Sequence, residues 1–215
     1  MTDFNKKLLY VSLFAVAMAY FESAVVVYLR ELYYPEGFSL PLKVINIRMI
    51  RIELFRELAT IIMMITVSAI CGKRFWERFG YFLILFGIWD IFYYVFLKIT
   101  LDWPSSLLEW DVLFLIPYPW IGPVIAPSLV ALLMIIIGIS ITGLFNRGLY
   151  FRPTLITWLL TIIATGMILF SFMYDTDATL RLENPQPYFY WLLISGLTLY
   201  LVAYLHSYRE IIKQL

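Results

Sequence analysis

Arg48, Arg51, Glu53, Arg56 and Glu57 crowd into "RMIRIELFREL", residues 48–58, and the next stretch, "ATIIMMITVSAIC", carries no charge at all. On a helix Glu53 and Glu57 are four apart and share a face, while Arg56 is three from Glu53 and within reach of its carboxylate. Two more acids, Glu22 and Asp90, interrupt apolar runs elsewhere in the chain. In a lipid environment an ionised side chain costs at least roughly 2.5–3.5 kcal/mol unless it is paired, neutralised or wet. Four acids facing one committed guanidinium therefore leave room for bound protons or a bound cation. Glu22, Glu53, Arg56, Glu57 and Asp90 are the candidate buried polar site.

Three chemistries fit these residue types. Protonatable carboxylates at depth suit the transport of an ion, a proton or a small solute. Alternatively, Glu22, Glu57 and Asp90 could supply oxygen ligands to a hard divalent cation such as Mg²⁺ or Mn²⁺. With Arg30, Arg48 or Arg51 holding a lipid phosphate nearby, that would make a membrane-embedded enzyme acting on a hydrophobic substrate. In the third reading the charges organise an accessory subunit of a larger membrane complex. A purely structural role stands beside all three, with Glu53–Arg56 fixing helix packing and Asp90 bonding Tyr93, Tyr94 or a tryptophan. Arg30, Arg48, Arg51, Lys98, Trp110 and Asp111 are expected at the headgroups or the outer rim of the site, the long basic side chains by snorkelling.

Composition narrows the field. Apolar residues make up 62% of the 215 and charged ones 14%, against about 45–50% and 25% in soluble domains. Mean hydropathy is +0.84. The net charge of +1 offers no field for nucleic acid, which is not expected as a partner. One cysteine, Cys71, and one histidine, His206, leave no basis for a disulfide, a cysteine-rich zinc site or bis-histidine haem. Haem and zinc are therefore not expected. A carboxylate-bridged di-iron centre would also normally draw on histidines.

The elements that must carry these residues are helices. Six apolar stretches have spanning length, about 20 residues each, near 8–29, 46–71, 81–101, 128–145, 155–174 and 188–206. The fold class expected is an all-α polytopic transmembrane bundle, one integral membrane domain over 1–215. Lys6, Lys7 and "AMA" at 17–19 resemble a secretory signal, but the apolar run continues to Leu29 and reads as a retained helix. Lys6, Lys7, Lys73, Arg74, Arg78, Arg147, Arg152, Arg209 and Lys213 fall on one side; Arg30, Lys43, Lys98 and Arg181 fall on the other, joined by Arg48 and Arg51 if these lie at the interface. By the bias of basic residues toward the cytoplasm both termini should be cytoplasmic. The runs "FESAVVVYLRELYYP", "ELFRELAT" and "WDIFYYVFLK" look like a polytopic membrane protein of a bacterium or archaeon, so a prokaryotic plasma membrane is the expected location. The lipid bilayer is the expected partner, with a homo-oligomer or larger complex in addition.

The segment 102–127, "DWPSSLLEWDVLFLIPYPWIGPVIAP", is apolar but holds Pro104, Pro117, Pro119, Pro123 and Pro127. Those prolines forbid a regular spanning helix. A short interfacial helix followed by an irregular or re-entrant piece is expected, capping the site from the outer side. Small residues in "GISITG", 138–143, and "TIIATG", 161–166, favour close helix packing. The predicted arrangement puts the polar site in the first three helices and a scaffold in the last three.

Overall fold

A computed structural model describes residues 2–38, 46–116, 118–181, 183 and 185–213. Lys43, assigned to the outer basic set, and Pro117 lie outside the described residues. Six helices are long and apolar enough to cross a membrane. They are α1 (Asp3–Tyr33), α2 (Ile47–Cys71), α3 (Phe75–Leu101), α4 (Ile125–Asn146), α5 (Leu155–Met173) and, after a short α6 (Thr176–Arg181), α7 (Tyr190–Ile212). The chain is a polytopic helical bundle integral to the membrane.

Local chemistry sets the helix ends. Thr2 caps α1 by accepting the Asn5 N–H at 3.3 Å, Asn46 caps α2 through the Arg48 N–H at 2.8 Å, and Thr154 caps α5 through the Thr157 N–H at 3.2 Å. Asp102 closes α3 in the left-handed region at φ 52°, and Lys98 one turn earlier meets its carboxylate at 2.7 Å. With 31 residues α1 runs well past its apolar stretch at both ends; at 1.5 Å per residue it is about 46 Å long.

Helix α3 is the hub, with α1 and α2 on one side and α4 on another. It meets α4 backbone to backbone. A Cβ on Gly138 would lie 2.6 Å from the Gly80 carbonyl, and one on Gly87 would lie 2.5 Å from that of Ala131. The expectation of close packing at 138–143 therefore holds at Gly138, whereas Gly143 and Gly166 meet nothing within 4 Å. The α5–α7 pair closes over Gly196, packed against Ala164 and Ile168.

The segment after α3 is not a helix. Trp110–Phe114 (β1) and Trp120–Pro123 (β2) form an antiparallel hairpin pairing Asp111 with Gly122 and Val112 with Ile121, with an irregularity before Phe114. This corrects the expected interfacial helix. The reason is local: "WDVLF" is aromatic and apolar with a β-branched centre, which suits a pleated half-buried surface, and the prolines that follow deny a helix its N–H groups. The alternation of a strand also turns Asp111 inward, 3% exposed. Strand β2 rests on α5, with Trp120 stacked on Phe172 at 6.0 Å.

Candidate functional site: a buried network of carboxylates and guanidiniums

The polar groups form two linked arms. In the first, Arg56 on α2 pairs with Glu22 of α1 through Nη1 and with Glu53 of its own helix at 2.7 Å. Glu22 also accepts the Thr60 hydroxyl at 3.1 Å. Glu22 and Glu57 are 5% and 6% exposed, so both carboxylates are removed from lipid and solvent. Glu57 accepts the backbone N–H of Leu115, just beyond β1, at 3.1 and 3.0 Å to its two oxygens. The hairpin thereby reaches down to α2 and ends in a charge-assisted hydrogen bond.

The second arm lies between α1, α3 and the hairpin. Arg30 donates from Nη2 to Asp111 at 3.2 Å, with both residues buried. Its guanidinium carbon sits 4.2 Å from the Phe38 ring centroid and 3.7 Å from that of Trp103, so aromatic faces supply the rest of its solvation. Tyr94 directs its hydroxyl at Asp111. Burial pushes the Asp111 carboxyl above the usual aspartate range, against the opposing pull of Arg30, the Val112 N–H and Tyr94. Asp90, four residues before Tyr94 on α3, lies in the field of Asp111. It makes no hydrogen bond or ion pair among the described residues, and its Oδ2 is buried without a partner.

Tyr93 joins the arms, lying within electrostatic reach of Arg30 and Arg56 as well as Asp90 and Asp111. Of the candidate residues, Glu22 and Glu53 pair with the Arg56 guanidinium and Glu57 lies in its field, while Asp90 shares the field of Tyr93. Glu22, Glu57 and Asp90 are not drawn together as a ligand set: among the described residues no three carboxylate, imidazole or thiol groups are placed to hold a metal ion. Each has a different immediate neighbour, namely Arg56, the Leu115 N–H and Asp111.

Of the six rim residues, Arg48 and Arg51 are exposed, and Lys98 is half-exposed in its pair with Asp102. Trp110 is half-buried edge-on to Tyr188 at 6.0 Å. Arg30 and Asp111 depart from a rim placement, since they are buried against each other and belong to the second arm. Sequence reasoning also passed over Thr60 and the Leu115 N–H, and it offered Tyr93 and Tyr94 as partners of Asp90, whereas the Tyr94 hydroxyl turns to Asp111. One signal was available, because Asp111 is a lone acid within the apolar run "WDVLFLI" and needs a cation wherever that run is buried. The Leu115 N–H had none, since a backbone donor is invisible in side-chain patterns.

Among the described residues the network holds five acids, Glu22, Glu53, Glu57, Asp90 and Asp111, against the two guanidiniums of Arg30 and Arg56. Comparison with protein-family models, characterised proteins and solved structures found no match for the chain or its fold.

Proposed function

We propose that the protein transports a proton, or a small solute coupled to one, through the polar interior of α1, α2 and α3. In this reading both termini face the cytoplasm and the hairpin covers the outer entrance. The carrying observation is the charge imbalance: with three more acids than guanidiniums, the network needs bound positive charge to remain in a bilayer. Among the described residues, Asp90 has no basic partner.

Two features support movement rather than static binding. Helices α1 and α2 pack chiefly on α3 rather than on each other. Beside the apolar cluster in which Val11, Ala15, Met18 and Ala19 of α1 meet Met64 of α2, the links between them are polar: Glu22 to Arg56, Glu22 to Thr60, and at the far end Lys7 Nζ to the Cys71 carbonyl at 2.8 Å. Irregular backbone at membrane depth is tolerated where it faces protein or a wet cavity, and Leu115, just beyond β1, sets its N–H on the buried Glu57 carboxylate. The enzyme reading needs an oxygen-ligand set for a divalent cation, and the spread of Glu22, Glu57 and Asp90 over separate partners does not favour it.

The test is flux. Purified protein in sealed liposomes enclosing a pH-sensitive dye should relax an imposed pH gradient at least ten-fold faster than protein-free vesicles. Glu57→Gln should slow that relaxation. Relaxation equal to that of empty vesicles, with and without candidate small solutes, would remove the transport reading.

A further inference from the structure

We propose that the turn between α2 and α3 and the loop between α4 and α5 together form a binding site for the headgroup of an anionic phospholipid, with Arg74, Arg147 and Arg152 as its cations. The site lies at the end of the bundle that carries both termini, opposite the hairpin, and stands independently of the transport reading. Basic residues at this end outnumber its acids, which are Asp3, Glu77 and Glu210. Two of those acids are taken: Glu77 accepts the Lys73 N–H at 2.7 Å, and Glu210 pairs with Lys213 at 2.7 Å. Arg74, Arg147 and Arg152 are exposed, and among the described residues none of them forms an ion pair.

Packing holds the two segments together. Gly148, at φ 76°, turns the chain out of α4. Phe151, 6% exposed, then anchors the loop in the core with Leu144 and Tyr204. Trp76 meets Phe151 at 5.5 Å and ties the start of α3 to that anchor. On either side of Phe151, Tyr150 and Arg152 are exposed. The Arg74 guanidinium carbon lies 3.9 Å from the Tyr150 ring centroid. That contact positions the charge and leaves its N–H donors to an anion, and a guanidinium offers a phosphate two parallel donors.

Apolar surface decides the class of partner. Phe75 and Phe79 on α3, and Leu155 and Trp158 on α5, are exposed in the first two turns of helices that go on to cross the bilayer. A soluble anion has nothing to place against them. A phospholipid has acyl chains for the apolar side and a phosphate for the guanidiniums. Arg48 and Arg51, at the other end of the bundle, are also exposed, but among the described residues neither stacks on a ring. They supply a control of equal charge.

Native mass spectrometry of the whole protein in mild detergent reads the site, with phosphatidylglycerol or phosphatidylcholine of identical chains added. The wild type should retain phosphatidylglycerol at least about ten-fold more strongly, and the preference should shrink as ammonium acetate is raised. Arg74→Gln with Arg152→Gln should reduce retention to the phosphatidylcholine level, whereas Arg48→Gln with Arg51→Gln should leave it unchanged. Equal retention of the two lipids by the wild type, or equal losses in the two double variants, would overturn the proposal. Displacement of the lipid by millimolar inorganic phosphate would also overturn it, since the site would then be one for a free anion. The wild-type comparison needs no variant and so does not depend on one folding.

Discussion

The two halves of the bundle solve the same problem in opposite ways. In α5 and α7 the cross-links are neutral. Thr157 meets Ser207 at 2.6 Å, Thr165 meets Tyr200 at 2.6 Å, and Ser171 meets Tyr188 just before α7 at 2.8 Å. Hydroxyl pairs of this kind are worth about 0.6 kcal/mol each in a bilayer, and they need no counter-charge. Between α1, α2 and the hairpin the cross-links are Arg56–Glu22, Arg30–Asp111 and Glu57 to the Leu115 N–H. Neutral hydroxyls would hold helices together as well and at lower desolvation cost. In the proposed reading, the charges retained in the first half serve something besides adhesion.

The largest effect should come from taking the cation out of the first arm. Arg56→Leu leaves Glu22 buried and unpaired, and unfolding in detergent should show a loss of about 3–5 kcal/mol. Adding Glu22→Gln to that variant should recover part of the loss, since the stranded charge is gone. A double variant no better than the single would mean that Arg56 acts by packing alone.

Next in size, Gly138→Ala drives a methyl into the Gly80 backbone and should cost about 1–3 kcal/mol, as overpacking does. The same change at Gly166, which faces open space, should be neutral or stabilising by up to about 1 kcal/mol. Equal costs at the two positions would contradict the assignment of the α3–α4 seam as the close contact. Smaller again, Thr165→Val should lower stability by about 0.6 kcal/mol and leave proton flux untouched, marking α5–α7 as scaffold.

The smallest effect concerns pH. Burial raises the Asp111 carboxyl in the folded protein above its unfolded value, so the folded state binds the proton more tightly. That contribution to stability is complete below the ordinary aspartate value and is lost as pH rises through the raised one. Melting temperature should therefore fall on going from mild acid to neutrality, and Asp111→Asn should flatten that slope. A slope of opposite sign would mean that Arg30, the Val112 N–H and Tyr94 outweigh burial at Asp111.

Much of this was legible in the sequence because a bilayer simplifies the code. Six apolar runs fixed six helices, and Gly138 in "GISITG" correctly marked a close contact. Glu53 and Arg56, three apart, announced their own pairing. What escaped was whatever depended on the hairpin. Five prolines correctly excluded a spanning helix but did not say that "WDVLF" would pair with "WIGP", and only that pairing turns Asp111 toward Arg30. The partners of Glu22 lie 34 and 38 positions away, and no local spacing encodes such a distance. Helix ends drifted outward for a related reason: α3 begins at Phe75 rather than near 81 because "FWER" is amphipathic and can extend beyond the apolar stretch.

The most direct test of the central claim, that the charges of α1–α3 serve transport more than adhesion, is to measure proton flux and melting temperature on Asp90→Asn and wild type from one preparation. The account predicts at least a ten-fold loss of flux with melting temperature unchanged or raised. Flux retained in Asp90→Asn, or flux and fold lost together, would contradict it.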